Sequence, residues 1–248
     1  MRVFSKLLLH AVVALGANFN QPVLWEDLAD LDIFRVNNTF YYSASTMHYS
    51  PGAPILQSYD LVNWEYVGHS VPTLDWGAIY NLTGGNAYVK GIWASTLRYR
   101  ESNGLWYWIG CIQFTTTYVF TAPSVTGPWK QSGVIDTCYY DCSLLIDDDD
   151  TLYVAYGGTD ISVAQLSSDG LSQVKTQQVF ASTVGSIEGS RFYKYNGQYY
   201  IFNDLPASAE YVLKSSSPWG PYTQKLLQSN IATPLSGGGI PHQVCGYL

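Results

Sequence analysis

One strand–turn–strand pattern occurs four times along this chain, and three of its copies are led by an acidic residue. Asp30 leads Asp-Leu-Asp-Ile-Phe-Arg-Val, and Tyr41 follows 11 residues later in Phe-Tyr-Tyr-Ser-Ala. Asp141 leads Asp-Cys-Ser-Leu-Leu-Ile and Glu188 leads Glu-Gly-Ser-Arg-Phe-Tyr, with Leu152 and Tyr199 each 11 residues on. Trp93 leads the remaining copy, Trp-Ala-Ser-Thr-Leu-Arg-Tyr, which runs on to Trp106. The four leaders are separated by 63, 48 and 47 residues, a spacing that marks a repeat architecture. Residues that open equivalent strands of a radial repeat converge on one axis. The pattern therefore predicts three carboxylates gathered at a common centre.

Each unit continues outward through a third strand and a turn. Copies one, two and four end this turn on Trp64, Trp129 and Trp219; copy three keeps the strand and turn, Ile161 to Leu171, without the tryptophan. A further short strand closes each unit. Four strands and 47 or more residues per unit predict an all-β fold, a β-propeller. Aromatics make up 15% of the chain, with 21 Tyr and 8 Trp, and only 12% of residues are charged, which favours strands over exposed helices. The net charge of −7 argues against nucleic acid, whose phosphates demand clustered Lys and Arg. Abundant Tyr and Trp suit a neutral polyol, since sugars offer C–H faces for stacking and hydroxyls for hydrogen bonds.

The N-terminus reads as a secretory signal peptide over residues 1–17. Arg2 and Lys6 precede an apolar run from Leu7 to Leu15, followed by Gly16 and Ala17. That run is too short to span a bilayer, and no other segment is long enough to do so; a core helix is the alternative. The predicted propeller domain occupies residues 18–248, and the predicted location is extracellular. Two sequons, Asn37-Asn38-Thr39 and Asn81-Leu82-Thr83, are expected glycosylation sites, with Asn37 in the turn of the first inner hairpin. Cys111, Cys138, Cys142 and Cys245 allow three full pairings. A Cys138–Cys142 bridge beside Asp141 is one expectation, and buried thiols at Cys111 and Cys142 are the other. Asp147 to Asp150 read as a solvated hairpin turn, because they lack the ligand spacing and glycine of a calcium loop.

Several motifs together resemble glycoside hydrolase family 43. They are Asn20-Gln21-Pro22-Val23-Leu24, Asp30-Leu31-Asp32-Ile33, Tyr41-Tyr42, Pro51-Gly52 and Ser58-Tyr59-Asp60-Leu61-Val62-Asn63-Trp64. Gly91-Ile92-Trp93-Ala94, Glu188-Gly189 before Tyr193-Lys194, and Gly238-Gly239-Ile240-Pro241-His242-Gln243 extend the likeness over almost the whole chain. It is nearest to secreted fungal β-xylosidases and α-L-arabinofuranosidases of that family. The resemblance implies a five-bladed propeller and hydrolysis with inversion. By position, Asp30 looks like the general base, Glu188 the general acid, and Asp141 the residue that tunes the acid's pKa. Many members place proline after the base, whereas this chain has Leu31. Asp32 is the rival base, because strand alternation sends residues two apart to one face.

Trp93 is expected to stack on the sugar or to plug the axis. His48 and Tyr49 are expected at the rim near the substrate. The resemblance puts His242 at the axis near a structural cation or water; a hydrogen-bonded core histidine is the alternative. No metal or other cofactor is required by hydrolysis with two carboxylates and water. Because Leu248 follows the Pro-His-Gln motif so soon, the sequence reads as a propeller truncated at the start of blade five. That reading predicts an open seam, poor stability and association through it. The expected function is exo-acting removal of α-L-arabinofuranosyl or β-D-xylosyl units from plant cell-wall hemicellulose such as arabinoxylan. An inactive or carbohydrate-binding propeller and an endo-arabinanase are the alternatives.

Overall fold

The computed structural model describes residues 23–47 and 50–229. These residues form four antiparallel sheets of four strands, each sheet a meander. Blade one holds β1 (Asp32–Val36), β2 (Thr39–Ser43), β3 (Gly52–Ser58) and β4 (Glu65–Val71). Blade two holds β5 (Thr96–Arg100), β6 (Leu105–Ile112), β7 (Thr116–Ala122) and β8 (Lys130–Ile135). Blade three runs through β9 (Ser143–Ile146), β10 (Leu152–Tyr156), β11 (Asp160–Leu166) and β12 (Gln173–Ala181). Blade four comprises β13 (Glu188–Tyr195), β14 (Gln198–Leu205), β15 (Ala209–Ser215) and β16 (Thr223–Ser229). The first strands β1, β5, β9 and β13 touch in succession around the axis. The described residues thus form the four expected blades of a propeller. The fifth start, His242, and the segment of residues 1–17 lie outside them, as do His48, Tyr49 and Cys245.

The core is built from blade faces pressed together. On β6, Trp106 and Trp108 face blade one with Ile55 and Leu97, whereas Tyr107 and Ile109 face blade three with Leu144, Leu152 and Val154. Both faces of this strand are covered, so its sequence is a continuous apolar run without polar alternation. A third core joins blades three and four through Tyr153, Val163, Phe192, Ile201 and Leu213. Outer strands β12 and β16 are mostly exposed.

The closing tryptophans have local work. Trp64 Nε1 donates to the carbonyl of Leu61 at 3.1 Å and Trp129 Nε1 to that of Val125 at 3.0 Å, pinning the turn before the fourth strand. Trp219 instead packs on Tyr153 of blade three. Among the described residues no helix is long and apolar enough to cross a membrane.

Two expectations are corrected here. Cys111 is bonded to Cys138 rather than standing as a thiol, whereas Cys142 is, as the alternative expected, a buried free thiol, the one free cysteine among the described residues. Cys142 points into the core between blades two and three, away from Cys138, so no small loop closes beside Asp141. The acidic turn Asp147–Asp150 does join β9 to β10, but its ends are not simply solvated. Asp147 accepts from Lys194 and from the Tyr199 hydroxyl of blade four, and Asp150 is paired with Arg100 of blade two at 2.5 Å.

Candidate functional site

The four leaders sit at the mouth of the axis, at or just before their inner strands. Asp30 precedes β1 and Asp141 precedes β9, each with positive φ (56° and 50°), while Glu188 is the first residue of β13. A left-handed residue at the strand's entrance breaks the pleat. Asp30 and Asp32 therefore do not share an environment, although they are two apart. The Asp32 carboxylate is fully buried. Its Oδ2 takes Arg98 Nη1 at 2.6 Å and the Leu97 N–H at 3.0 Å. Burial pushes its pKa up, but Arg98 and Arg191 outweigh burial and hold it below the ordinary carboxylate value. A carboxylate so engaged is a structural anion, which removes it as the rival base.

The other three acids face one another. Ser45, itself buried, donates its hydroxyl to Asp30 Oδ2 at 2.6 Å, and its N–H reaches the Ala29 carbonyl at 3.0 Å. Gly189 donates its N–H to Asp141 Oδ2 at 3.1 Å, which ties blade four to blade three directly beside Glu188. Gly189 has φ 69°, a backbone state that glycine adopts without the penalty a side chain brings. Asn203 on β14 donates to the Glu188 carbonyl at 3.3 Å and to Ser190 Oγ at 2.9 Å, fixing the strand that carries the acid.

Tyr140 links these groups. Its hydroxyl donates to Glu188 Oε2 at 2.9 Å. Burial, then the charges of Asp141, Glu188 and Asp30, drive its pKa well above the usual phenol value, so it stays a donor. The same physics acts on Asp141. Burial and the negative charges of Glu188 and Asp30 lift its carboxyl to about 7, against the opposing pull of the Gly189 N–H and of Arg191. Desolvation and like charge together make joint ionisation of this cluster unfavourable.

Trp93 is half-buried and packs on Phe114 with ring centroids 5.6 Å apart; Phe114 packs on Tyr140 at 5.9 Å. Three rings thus lead from the blade-two rim to Glu188. Phe114 is 58% exposed and occupies the β6–β7 hairpin with positive φ. It offers an open face for a ligand. Ser45, Phe114, Tyr140 and Arg191 are site residues that the sequence reading does not single out. Tyr140 alone carries a local signal, its position beside Asp141. Asn37 and Asn81 are both exposed, Asn37 in the β1–β2 turn as expected.

Comparison with known proteins places this geometry. Residues 19–238 match the profile of Glycosyl hydrolases family 43. A beta-xylosidase of Formosa agariphila is 32% identical over 205 residues, covering 73% of this chain and 33% of its own. A non-reducing end alpha-L-arabinofuranosidase of Bacteroides ovatus is 30% identical over 215 residues, covering 82% of this chain and 40% of its own. A solved family 43 glycoside hydrolase, engineered at its active site to display both endo-xylanase and exo-arabinofuranosidase activity, superposes with a TM-score of 0.85. It is 52% identical, over 91% of this chain and 46% of that one. The chain thus spans under half the length of these relatives. With four blades, a shared carboxylate centre and a matching profile over most of its length, this chain belongs to glycosyl hydrolases family 43.

Proposed function

We propose that the protein is a secreted glycoside hydrolase that removes α-L-arabinofuranosyl or β-D-xylosyl units from hemicellulose such as arabinoxylan, with inversion. One observation carries the reading. Carboxylates led in by three different blades meet around one phenol, Tyr140, where burial and their mutual repulsion raise the pKa of Asp141 to about 7. Inverting hydrolysis needs one carboxylate to activate water and one carboxylic acid to protonate the leaving oxygen across the sugar. Asp30 is the base. Ser45 holds its Oδ2, and the other oxygen takes the proton from water. Glu188 is the acid. Tyr140 holds its Oε2, and the other oxygen delivers the proton. Asp141 is the tuning residue, because two adjacent carboxylates resist double ionisation and keep one proton between them.

The family relatives support the substrate class, since they are named for xylosidase and arabinofuranosidase activity. Trp93 and Phe114 add ring faces on which sugar C–H groups stack. His48 and Tyr49, by their place in the blade-one loop before Pro51-Gly52, and His242, by the sequence resemblance, are further proposed substrate contacts. The chemistry calls for no redox or nucleotide cofactor, and a structural cation near His242 stays part of the proposal. Action outside the cell is supported by the N-terminal apolar segment, by the Cys111–Cys138 disulfide, which belongs to an oxidising compartment, and by the exposure of Asn37 and Asn81.

The test is turnover by the full chain of nitrophenyl α-L-arabinofuranoside, nitrophenyl β-D-xyloside and arabinoxylan, with proton NMR early in the reaction. The expected first product has the anomeric configuration opposite to the substrate's. A retained anomer overturns inversion. Binding of arabinoxylan oligosaccharides without turnover assigns a carbohydrate-binding propeller instead, and release of oligomers from linear arabinan assigns an endo-acting enzyme.

A further inference from the structure

The inner strands are laced together by a repeated bond. Asp32 Oδ2 on blade one accepts the N–H of Leu97 on blade two at 3.0 Å. Thr96 Oγ1 on blade two accepts the N–H of Leu144 on blade three at 3.0 Å. Ser143 Oγ on blade three accepts the N–H of Phe192 on blade four at 3.0 Å. The donors directly follow Thr96, Ser143 and Arg191 in sequence, so Asp32, Thr96, Ser143 and Arg191 occupy equivalent positions. The first three are acceptors. The fourth is a guanidinium, which has no acceptor.

Arg191 reverses the pattern. Its Nη2 donates to the Asp30 carbonyl at 3.0 Å and the Leu31 carbonyl at 2.9 Å, and its Nε reaches the same Leu31 carbonyl at 3.1 Å. Its Nη1 donates to the Cys142 carbonyl at 3.3 Å and the Ser190 carbonyl at 2.9 Å. Asp30 carries the proposed base, Cys142 adjoins Asp141, and Ser190 lies two residues beyond Glu188. One buried side chain thus grips the backbone beneath all three carboxylates. Its charge is balanced by Asp32 Oδ1 at 3.8 Å.

We propose that Arg191 is the positioning residue of the active site, a clamp on main-chain carbonyls that sets the separation between base and acid. The inference rests on the glycosidase reading above. A planar fork with five N–H donors is required to hold carbonyls in several directions; a lysine ammonium supplies charge without that geometry. Other ionisable groups that bear on Arg191 are Asp32 from blade one, Asp141 and Cys142 from blade three, and Glu210 from blade four, with Arg98 of blade two across Asp32.

The experiment is steady-state kinetics of Arg191→Lys and Arg191→Met in the full chain, with thermal melts to establish folding. A small displacement of reacting groups costs about 100-fold in rate, so kcat should fall by about that factor in both variants while KM changes little. Arg191→Met, which also loses the cation that pulls the Asp141 pKa down, should move the pH–rate profile to higher pH; Arg191→Lys should not. A folded variant with native kcat and native pH profile overturns the proposal. The native chain supplies a test free of folding defects. Nitrogen-15 NMR should show separate, slowly exchanging guanidinium protons for Arg191, and a single averaged signal likewise overturns the clamp. Absence of wild-type turnover would sink the glycosidase reading, whereas this NMR result judges the clamp by itself.

Discussion

Two layers of charge lie along the same inner strands, and they are built on opposite rules. In the deeper layer Asp32 is fully buried and bonded to Arg98, with Arg191 beside it, so its ionised form is favoured. In the outer layer Asp30, Asp141 and Glu188 meet hydroxyls and a backbone N–H, and the carboxylates repel one another. Residues 30 and 32 are separated by a single residue, yet one belongs to each layer. The contrast teaches that compensation by a cation, not the presence of a carboxylate, separates a structural acid from one free to exchange protons.

The largest expected effect comes from exchanging the two fates. Asp30→Asn should lower turnover by roughly 10²–10⁴-fold, the usual contribution of a general base, with a melting temperature close to that of the native chain. Asp32→Asn should do the reverse, costing about 3–5 kcal/mol of stability because Arg98 is left buried without its partner. Denaturant melts and initial rates on both variants check this, and a stable, inactive Asp32→Asn would erase the division into layers. Next in size, Glu188→Gln should nearly abolish release from arabinoxylan while sparing nitrophenyl glycosides more, since a good leaving group needs less protonation. Equal losses on both substrates would remove Glu188 from the acid's role.

The layers should also respond to pH with opposite sign. Asp141 has a folded pKa of about 7, above its unfolded value of about 3.9. Between those values the folded state holds more protons, so stability falls as pH rises through the window. Asp32 has a lowered folded pKa, so it contributes stability above its unfolded value that is lost as pH falls further. Asp141→Asn should therefore melt higher than the native chain at pH 8 and about the same at pH 4.5. Each tenfold change in proton affinity between the folded and unfolded chain is worth ~1.4 kcal/mol, which makes the gap at pH 8 measurable. Asparagine also tolerates the left-handed backbone of this position. Identical melts at pH 8 would contradict the elevated pKa. The smallest effect should belong to Ser45→Ala. Losing one hydrogen bond to a charged group is worth about 1.5 kcal/mol at the low end, or roughly tenfold in kcat, and an unchanged rate would show that Asp30 is oriented by its backbone alone.

Much of this is legible in the chain because propeller blades repeat, and a period survives even where individual residues vary. The leaders Asp30, Trp93, Asp141 and Glu188 can be located from spacing alone. Alternation misleads for Asp32 because it assumes that a strand already runs through Asp30, whereas β1 begins at Asp32. The Cys111–Cys138 pairing is not readable, since connectivity depends on how the β6–β7 hairpin lies against the loop before β9. Phe114 and Ser45 give no signal either. Each reaches the centre through a connection between strands, and loop geometry is set by tertiary contacts that no local pattern records. Arg191 is hidden differently: it stands in register with Thr96 and Ser143, and only its bonds to the Asp30 and Leu31 carbonyls distinguish its task.

The inter-blade lacing also bears on how the chain comes to be assembled. In every one of those bonds the acceptor precedes its donor in the sequence: Asp32 before Leu97, Thr96 before Leu144, Ser143 before Phe192. A chain emerging from the ribosome N-terminus first, and folding in that order, exposes each docking point before the strand that needs it has been made. Every nascent blade then meets a finished neighbour with its axial oxygen waiting, and growth proceeds like the turning of a ratchet. Arg191 keeps the same order over a far longer span, to a carbonyl 160 positions earlier in the chain, so the centre between Asp30 and Glu188 is drawn together only once β13 has been made.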